Sequence, residues 1–330
     1  MLKSLSKTRR CGFIVTILLG LPCVLPQGAW AAAKPYVESE APRGFHLFLR
    51  PKKKTPTAQW DFVQQLETAG KTRDAANQSL ALRIYWPNAP EAPAAQMRYA
   101  RLLEQRRHPE KAFEAYQYLV EHYPGRFEFT EVLNRQMQIA KDTMNRKKGK
   151  FLFFPGFTAP ERAIPYFGQI VTNAPEGPHT AEAYYLIGVA NQRVYEYEKA
   201  IDAFFTSINR FPNSPFAERS ALAQVECHLK ISQDSPQDKR AMDTAHAAAT
   251  LFLKRYPNSD SAPEVENQLH LLRTRQIENA YTRARYYDKI LRNPTAALME
   301  YKAFVALYPN AEQAPKARAC IAKLESSEKE

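Results

Sequence analysis

The apolar positions of this chain fall into a repeating figure. An alanine stands twelve residues ahead of a proline six times: Ala75 and Pro87, Ala112 and Pro124, Ala163 and Pro175, Ala200 and Pro212, Ala245 and Pro257, Ala297 and Pro309. Alanine supplies 46 of the 330 residues, about one in seven, so composition alone does not produce six matches in six. Four residues after each alanine come Ser79, Tyr116, Phe167, Phe204, Ala249 and Tyr301, and seven after it come Leu82, Leu119, Ile170, Ser207, Phe252 and Phe304. Offsets of 0, 4, 7 and 11 share one face of a helix with 3.6 residues per turn. The pattern predicts six helices, each with a small residue where a neighbour comes close and larger residues facing the same way. Each is stopped by a proline, which has no N–H for the helical ladder.

The successive prolines are 37, 51, 37, 45 and 52 residues apart, enough for a further helix before each of the six. Tyr184, Ile187 and Gly188 precede Ala200, and Tyr99, Ala100 and Leu103 precede Ala112, again at helical spacing. A helix–turn–helix unit of about 34 residues with these small, aromatic and proline positions resembles the tetratricopeptide repeat. The implied fold class is all-α: a tetratricopeptide-repeat solenoid of five to six helical hairpins. Residues 57–212 form its N-terminal half and 213–330 its C-terminal half, with a capping helix over 311–324. Each hairpin buries its apolar face on its neighbours, so no single large core is required. Gly is scarce, at 11, and Pro plentiful, at 24, which suits helices separated by proline turns.

The N-terminus follows another rule. Residues 1–10 are basic, CGFIVTILLGLP is a short apolar run, and Ala29-Trp30-Ala31 has the small-x-small form of a signal peptidase site. Residues 1–31 therefore read as an export signal cut after Ala31, the alternative being a lipidated Cys23. Residues 32–56 read as an extended linker, and the chain is expected to be exported. Removing residues 1–31 takes away Lys3, Lys7, Arg9 and Arg10, lowering the formal charge from +12 to +8. Such a charge favours acidic partners or anionic membrane surfaces, so peripheral membrane association is expected, and an exported chain is not expected to bind nucleic acid. Cys227 and Cys320 remain, about two repeats apart, and read as small buried apolar residues rather than a disulfide.

In a repeat of this kind the outward positions of the first helices line the concave face. Counted from each alanine, these are Trp60, Met97, Arg98, Arg101, Tyr185, Gln192, Arg193, Arg283 and Tyr286. Arginines beside aromatic rings suit a segment ending in an aromatic residue and a carboxylate, but such positions are also ordinary solvated helix surface. The stretch NRKKGKFLFFPGFTAP, near 146–160, interrupts the repeat and resembles RGFHLFLRPKKKTP at 43–56 in setting phenylalanines beside lysine and proline. Two readings of these segments stand: exposed interface loops, with Lys150, Phe151, Phe153, Phe154 and Phe157 meeting a partner or a membrane, or the two segments paired as a small β-ribbon packed on the repeats.

Motifs for catalysis are missing. The seven histidines show no His-Glu-x-x-His, and there is no Cys-x-x-Cys, P-loop, Gly-x-Gly-x-x-Gly or Gly-x-Ser-x-Gly. No enzymatic activity, cofactor or metal is expected. The last repeat, ARYYDKILRNPTAALMEYKAFVALYPNAEQAPKA, resembles the C-terminal repeat of the BamD family, with Ala284, Arg285, Tyr287, Lys289, Ala297, Tyr308 and Pro309 at the matching positions. These are the tetratricopeptide subunits of the outer-membrane β-barrel assembly machine, and the resemblance spans roughly residues 57–325. It implies an adaptor that holds unfolded outer-membrane protein segments on its N-terminal repeats and a BamA-type barrel subunit, with other assembly subunits, on its C-terminal repeats. The rival expectation is a periplasmic repeat scaffold that coordinates cell division or peptidoglycan synthesis. Scaffolds of that type usually carry an N-terminal coiled coil, and residues 32–56 show no heptads.

Overall fold

The computed structural model describes residues 49–148 and 157–327. Among these lie thirteen α-helices, paired as six antiparallel hairpins and a final helix. The hairpins are α1 (Pro56–Thr68) with α2 (Thr72–Tyr85), α3 (Ala92–Gln105) with α4 (Pro109–His122), and α5 (Phe129–Asn145) with α6 (Ile164–Asn173). They continue as α7 (Thr180–Arg193) with α8 (Tyr197–Arg210), α9 (Pro215–Asp234) with α10 (Lys239–Arg255), and α11 (Ala262–Arg285) with α12 (Pro294–Leu307). The final helix, α13 (Ala314–Ser327), packs on α12. Each α-helix packs against those before and after it in the chain.

The six marker alanines, Ala75, Ala112, Ala163, Ala200, Ala245 and Ala297, are fully buried. So are Tyr116, Phe167 and Phe204 from the position four residues later, which fill the space the alanines leave. The proline signals work as read. In all six hairpins the residue before the proline is the C-cap, and its N–H donates to the carbonyl four residues back: Leu82, Leu119, Ile170, Ser207, Phe252 and Phe304. Proline keeps the residue before it out of helical backbone, so the chain must leave the helix there. It then turns the same way each time: the N–H of Ala89, Arg126, Gly177, Ser214, Ser259 or Ala311 returns to the C-cap carbonyl.

In four hairpins the tight turn between the helices holds a left-handed residue five positions before the marker alanine. Gly70 fills it in the first hairpin (φ 70), whereas Arg107, Tyr195 and Arg292 adopt φ of 59, 63 and 49 in the second, fourth and sixth. In the third hairpin the second helix starts as a 3-10 turn, Pro160–Ala163, and becomes α-helical only at Ile164. Pro165 explains the break, since it lacks the N–H that a continuous α-helix would send back to Glu161.

The insertion lies inside this third hairpin, between α5 and the 3-10 turn. Its base is a two-residue antiparallel ladder of β1 (Lys147–Lys148) and β2 (Phe157–Thr158), with Lys147 opposite Thr158 and Lys148 opposite Phe157. Among the described residues the insertion's two ends therefore pair with each other, and not with the segment at 43–56. Lys150, Phe151, Phe153 and Phe154, and the signal and most of the linker at 1–48, lie outside the described residues. Residues 49–55 run onto the first hairpin, where the Lys52 and Lys53 N–H groups donate to Gln59 Oε1, both at 3.0 Å.

The C-terminal half departs from even spacing. At 24 residues α11 is ten longer than α3 or α7, the first helices of the second and fourth hairpins, and it serves two partners in turn. Val265 and Leu272 on its first half join clusters with α10, while Ile277, Ala280, Tyr281 and Ala284 on its second half pack with Tyr301 and Phe304 of α12. A π-helical turn, Tyr286–Ile290, closes α11, with Leu291 N–H donating to the Tyr286 carbonyl at 3.0 Å.

Candidate functional site

The first helices of successive hairpins carry the candidate binding residues, and the structure gives each a neighbour. Arg98 of α3 reaches back to Glu67 of α1 at 3.3 Å, while Arg101, one turn on, reaches forward to Glu131 of α5 at 2.5 Å. Arg135 of α5 returns to Glu104 of α3 at 3.8 Å, and the buried Tyr116 hydroxyl donates to the same Glu104. Further along, Lys141 of α5 meets Glu182 of α7 at 2.5 Å, Arg193 donates to Asn145 at 3.2 Å, and Gln192 donates to Glu226 of α9 at 3.0 Å. Arg98, Arg101, Gln192 and Arg193 thus belong to a charged and polar ladder that crosses α1, α3, α5, α7 and α9. Because these pairs are half-exposed, each adds about 1 kcal/mol at most, and their main effect is to fix how neighbouring first helices lie.

Trp60, Met97 and Tyr185 have another role in this face. Trp60 and Met97 are half-buried and pack onto the N-terminal core cluster. Tyr185 lies between α8 and α9, its ring centroid 6.0 Å from Phe204 and 5.6 Å from Phe216. The sequence face is therefore a mixture of packed aromatics and mutually paired charges. The partners Glu67, Glu131, Asn145 and Glu226 were not singled out from sequence. Their signal is there, however, as groups of complementary charge or polarity about one repeat away from Arg98, Arg101, Arg193 and Gln192.

The two C-terminal candidates stand apart from the ladder and come together. Arg283 and Tyr286 line a cavity of about 320 Å³ where the start of α10, the second half of α11 and the end of α12 meet. Met242, Leu307 and Tyr308 give it apolar walls, and Leu307 and Tyr286 are 56% and 48% exposed at its mouth. Arg283 is anchored through Nε to Glu300 of α12 at 2.8 Å. Asp243 on the facing wall accepts from Gln276 Nε2 at 2.9 Å. The cavity exists because α10 and α12 occupy different halves of the long α11 and leave a gap between their facing ends. It can hold an apolar or aromatic side chain beside a polar group.

Titratable groups elsewhere are consistent with packing. Burial pushes the Cys227 thiol up to about 12, leaving it un-ionised and inert, whereas Cys320 is half-buried rather than buried. Burial likewise holds the His228 imidazole below its ordinary value. The folded state therefore binds this proton less readily than the unfolded chain. Its neutral form supports stability above about pH 6.5, and the support is lost as pH falls below that value. The expected result is a midpoint for urea unfolding that drops from pH 7 to pH 5, with a smaller drop in His228→Gln.

Sequence comparison decides the family. The pattern of the YfiO family, described as outer membrane lipoprotein, matches residues 159–327, just over half of the chain. The chain belongs to the YfiO family. That match runs from the exit of the β-ribbon to α13 and takes in Tyr185, Gln192, Arg193, Arg283 and Tyr286. Over residues 94–125, which hold most of α3 and all of α4, a tetratricopeptide-repeat pattern matches instead. An outer membrane protein assembly factor, BamD of Caulobacter vibrioides, is 22% identical over 155 residues, 47% of this chain and 50% of that protein. This YfiO-family chain thus spans about half the length of the curated relative it matches. Among solved structures, the C-terminal part of a tetratricopeptide-repeat protein from Cytophaga hutchinsonii is 19% identical, with 81% of this chain and 88% of that one covered at a TM-score of 0.34. PilF of Pseudomonas aeruginosa is 14% identical, with 80% and 96% covered at a TM-score of 0.30.

Proposed function

We propose that this chain is a non-enzymatic adaptor of the outer-membrane β-barrel assembly machinery. Its N-terminal hairpins, residues 57–212, hold unfolded outer-membrane protein segments. Its C-terminal hairpins, residues 213–330, dock a BamA-type barrel subunit together with other assembly subunits. The observation that carries this reading is the YfiO-family match over residues 159–327, which takes in residues 284–317, the stretch that bears the resemblance noted in the sequence. The name of the Caulobacter relative, an assembly factor, supports it. The work of such a protein is binding: two partners held on one stack of hairpins are kept at high effective concentration for each other. Export to the periplasm, with attachment to the inner face of the outer membrane, belongs to the same reading.

Affinity purification of the tagged protein from solubilised envelopes tests it. A BamA-type barrel subunit and unfolded barrel clients are expected in the eluate, and the double variant Arg283→Glu/Tyr286→Ala is expected to recover about tenfold less barrel subunit while retaining clients. Recovery of peptidoglycan synthases or division proteins in their place would overturn the proposal in favour of an envelope scaffold.

A further inference from the structure

Stacking sorts the turns of this chain onto two edges. Antiparallel hairpins packed side by side place the turns within hairpins on one edge and the turns between hairpins on the other. The two edges differ in charge. Among the described residues, the six turns within hairpins hold eight lysines and arginines against three acids, a net charge of +5. The six connecting turns hold one base, Arg126, against five acids, a net charge of −4. Helix dipoles do not produce this difference, because antiparallel neighbours oppose each other.

The basic edge is continuous over the second, third and fourth hairpins. Arg146, leaving α5, pairs with Glu110 at the start of α4 at 3.4 Å, and Arg193 at the end of α7 donates to Asn145 at the end of α5 at 3.2 Å. Arg107 and Lys147 are exposed on this edge, and neither is in an ion pair among the described residues. Next along the edge stands Tyr195, 78% exposed, more than any other large hydrophobic residue described. Its backbone is left-handed, with φ of 63, where a bulky residue is rare and glycine is at ease. Its ring meets Tyr197 edge-on with centroids 6.2 Å apart, so internal packing does not account for a tyrosine at this tip. Glu196, the acid of the same turn, is already paired with Lys199 at 3.2 Å.

Free bases beside a solitary exposed tyrosine match the chemistry of a membrane surface. Lysine and arginine are drawn to anionic headgroups, and tyrosine favours the headgroup layer, where its ring sits among apolar atoms and its hydroxyl stays wet. A protein docking surface has a desolvated apolar patch at its centre, whereas Tyr195 is the one large apolar residue exposed on this edge among the described residues of these three hairpins. We propose that the edge formed by the inner turns of the second, third and fourth hairpins lies against an anionic lipid surface, with Arg107 and Lys147 on lipid phosphates and Tyr195 among the headgroups. The inference rests on the membrane-attachment part of the function proposed above, which it makes specific, and not on the docking of a barrel subunit.

The test is flotation of the full mature protein, prepared without a lipid anchor, with two kinds of vesicle. One is phosphatidylethanolamine with about one quarter phosphatidylglycerol, and the other is phosphatidylcholine alone. Binding to the anionic vesicles only is expected, weakening as salt is raised. Arg107→Gln/Lys147→Gln is expected to bind about thirtyfold more weakly, since each base near such a surface contributes about a factor of five. Tyr195→Asn, which keeps a residue suited to left-handed backbone, is expected to bind more weakly at unchanged charge. Lys254→Gln/Arg255→Gln removes the same charge from the end of α10, beside a connecting turn on the opposite edge, and is expected to bind as the parent does. Circular dichroism should be unchanged throughout, because all five side chains are exposed. Absent binding, equal binding to phosphatidylcholine, or equal weakening by the two double variants would each overturn the proposal. So would undiminished vesicle binding by Arg107→Gln/Lys147→Gln; if that variant then lost the barrel subunit in the affinity experiment, the edge would belong to a protein partner. Because the vesicles contain no assembly subunit, failure here leaves the adaptor reading standing, and failure of the affinity experiment leaves the lipid contact standing.

Discussion

Gly188→Val is expected to lower stability by about 3 kcal/mol and to break the stack at its fourth hairpin. A Cβ at this position of α7 would stand 2.4, 2.5 and 2.7 Å from three ring atoms of Phe204. That ring is fully buried and has Tyr185 6.0 Å away, so it has little room to move aside. Two effects compete in the smaller variant. Alanine gains about 1 kcal/mol over glycine in a helix interior, while overpacking costs about 1–3 kcal/mol, so Gly188→Ala should be neutral to moderately destabilising. Valine adds two methyl groups to the clash and, being β-branched, gains less helix propensity. Urea unfolding of the three proteins should rank them glycine, alanine, valine in falling stability. An alanine variant clearly more stable than the parent would show that the Phe204 ring can shift and that Gly188 is not there to admit it.

The second large effect is expected at the other end. Phe304→Ala should remove about 3–5 kcal/mol, the usual loss for a fully buried phenylalanine, and the loss should be local. Phe304 packs with Ala284, Ala297, Tyr301, Ala314 and Ala317 in a cluster of its own, separate from the clusters that join α9, α10 and the first half of α11. In a repeat stack stability is nearly a sum of hairpin and nearest-neighbour terms, so a weakened terminal unit can open while the others stay closed. Amide hydrogen exchange should show protection lost from about residue 277 onward in Phe304→Ala, with α1–α8 unchanged. Uniform loss across α1–α13 would mean that α11 transmits the damage and that the last hairpin is not a separate unit. If docking uses this hairpin, the same variant should lose the barrel subunit in the affinity experiment while retaining clients.

How much of this could be read beforehand follows from how far each signal reaches along the chain. Helix ends were legible because a proline acts on its immediate neighbours, and all six C-caps lie where the prolines put them. Left-handed turns at Arg107, Tyr195 and Arg292 were not, because only Gly70 among the equivalent residues announces such a backbone by its identity. Buried Gln59 and Gln96 were missed for a similar reason. As polar residues they read as surface, yet their side-chain amides donate to the Gln78 and Ala115 carbonyls, at 3.2 and 2.8 Å. A buried amide is tolerated only where such an acceptor waits, and the acceptors sit nineteen residues away.

By itself the sequence determined the kind of element, its boundaries and the face it buries, because helical period, alanine contact points and proline stops are local properties of the chain. Only the tertiary structure decided what the outward residues do. Whether Arg98 and Arg101 stand free or reach Glu67 and Glu131 depends on how adjacent first helices lie, and whether Arg283 and Tyr286 share a cavity depends on α10 and α12 taking separate halves of α11. Those distances arise between side chains some thirty residues or more apart, where no local rule of period or propensity operates.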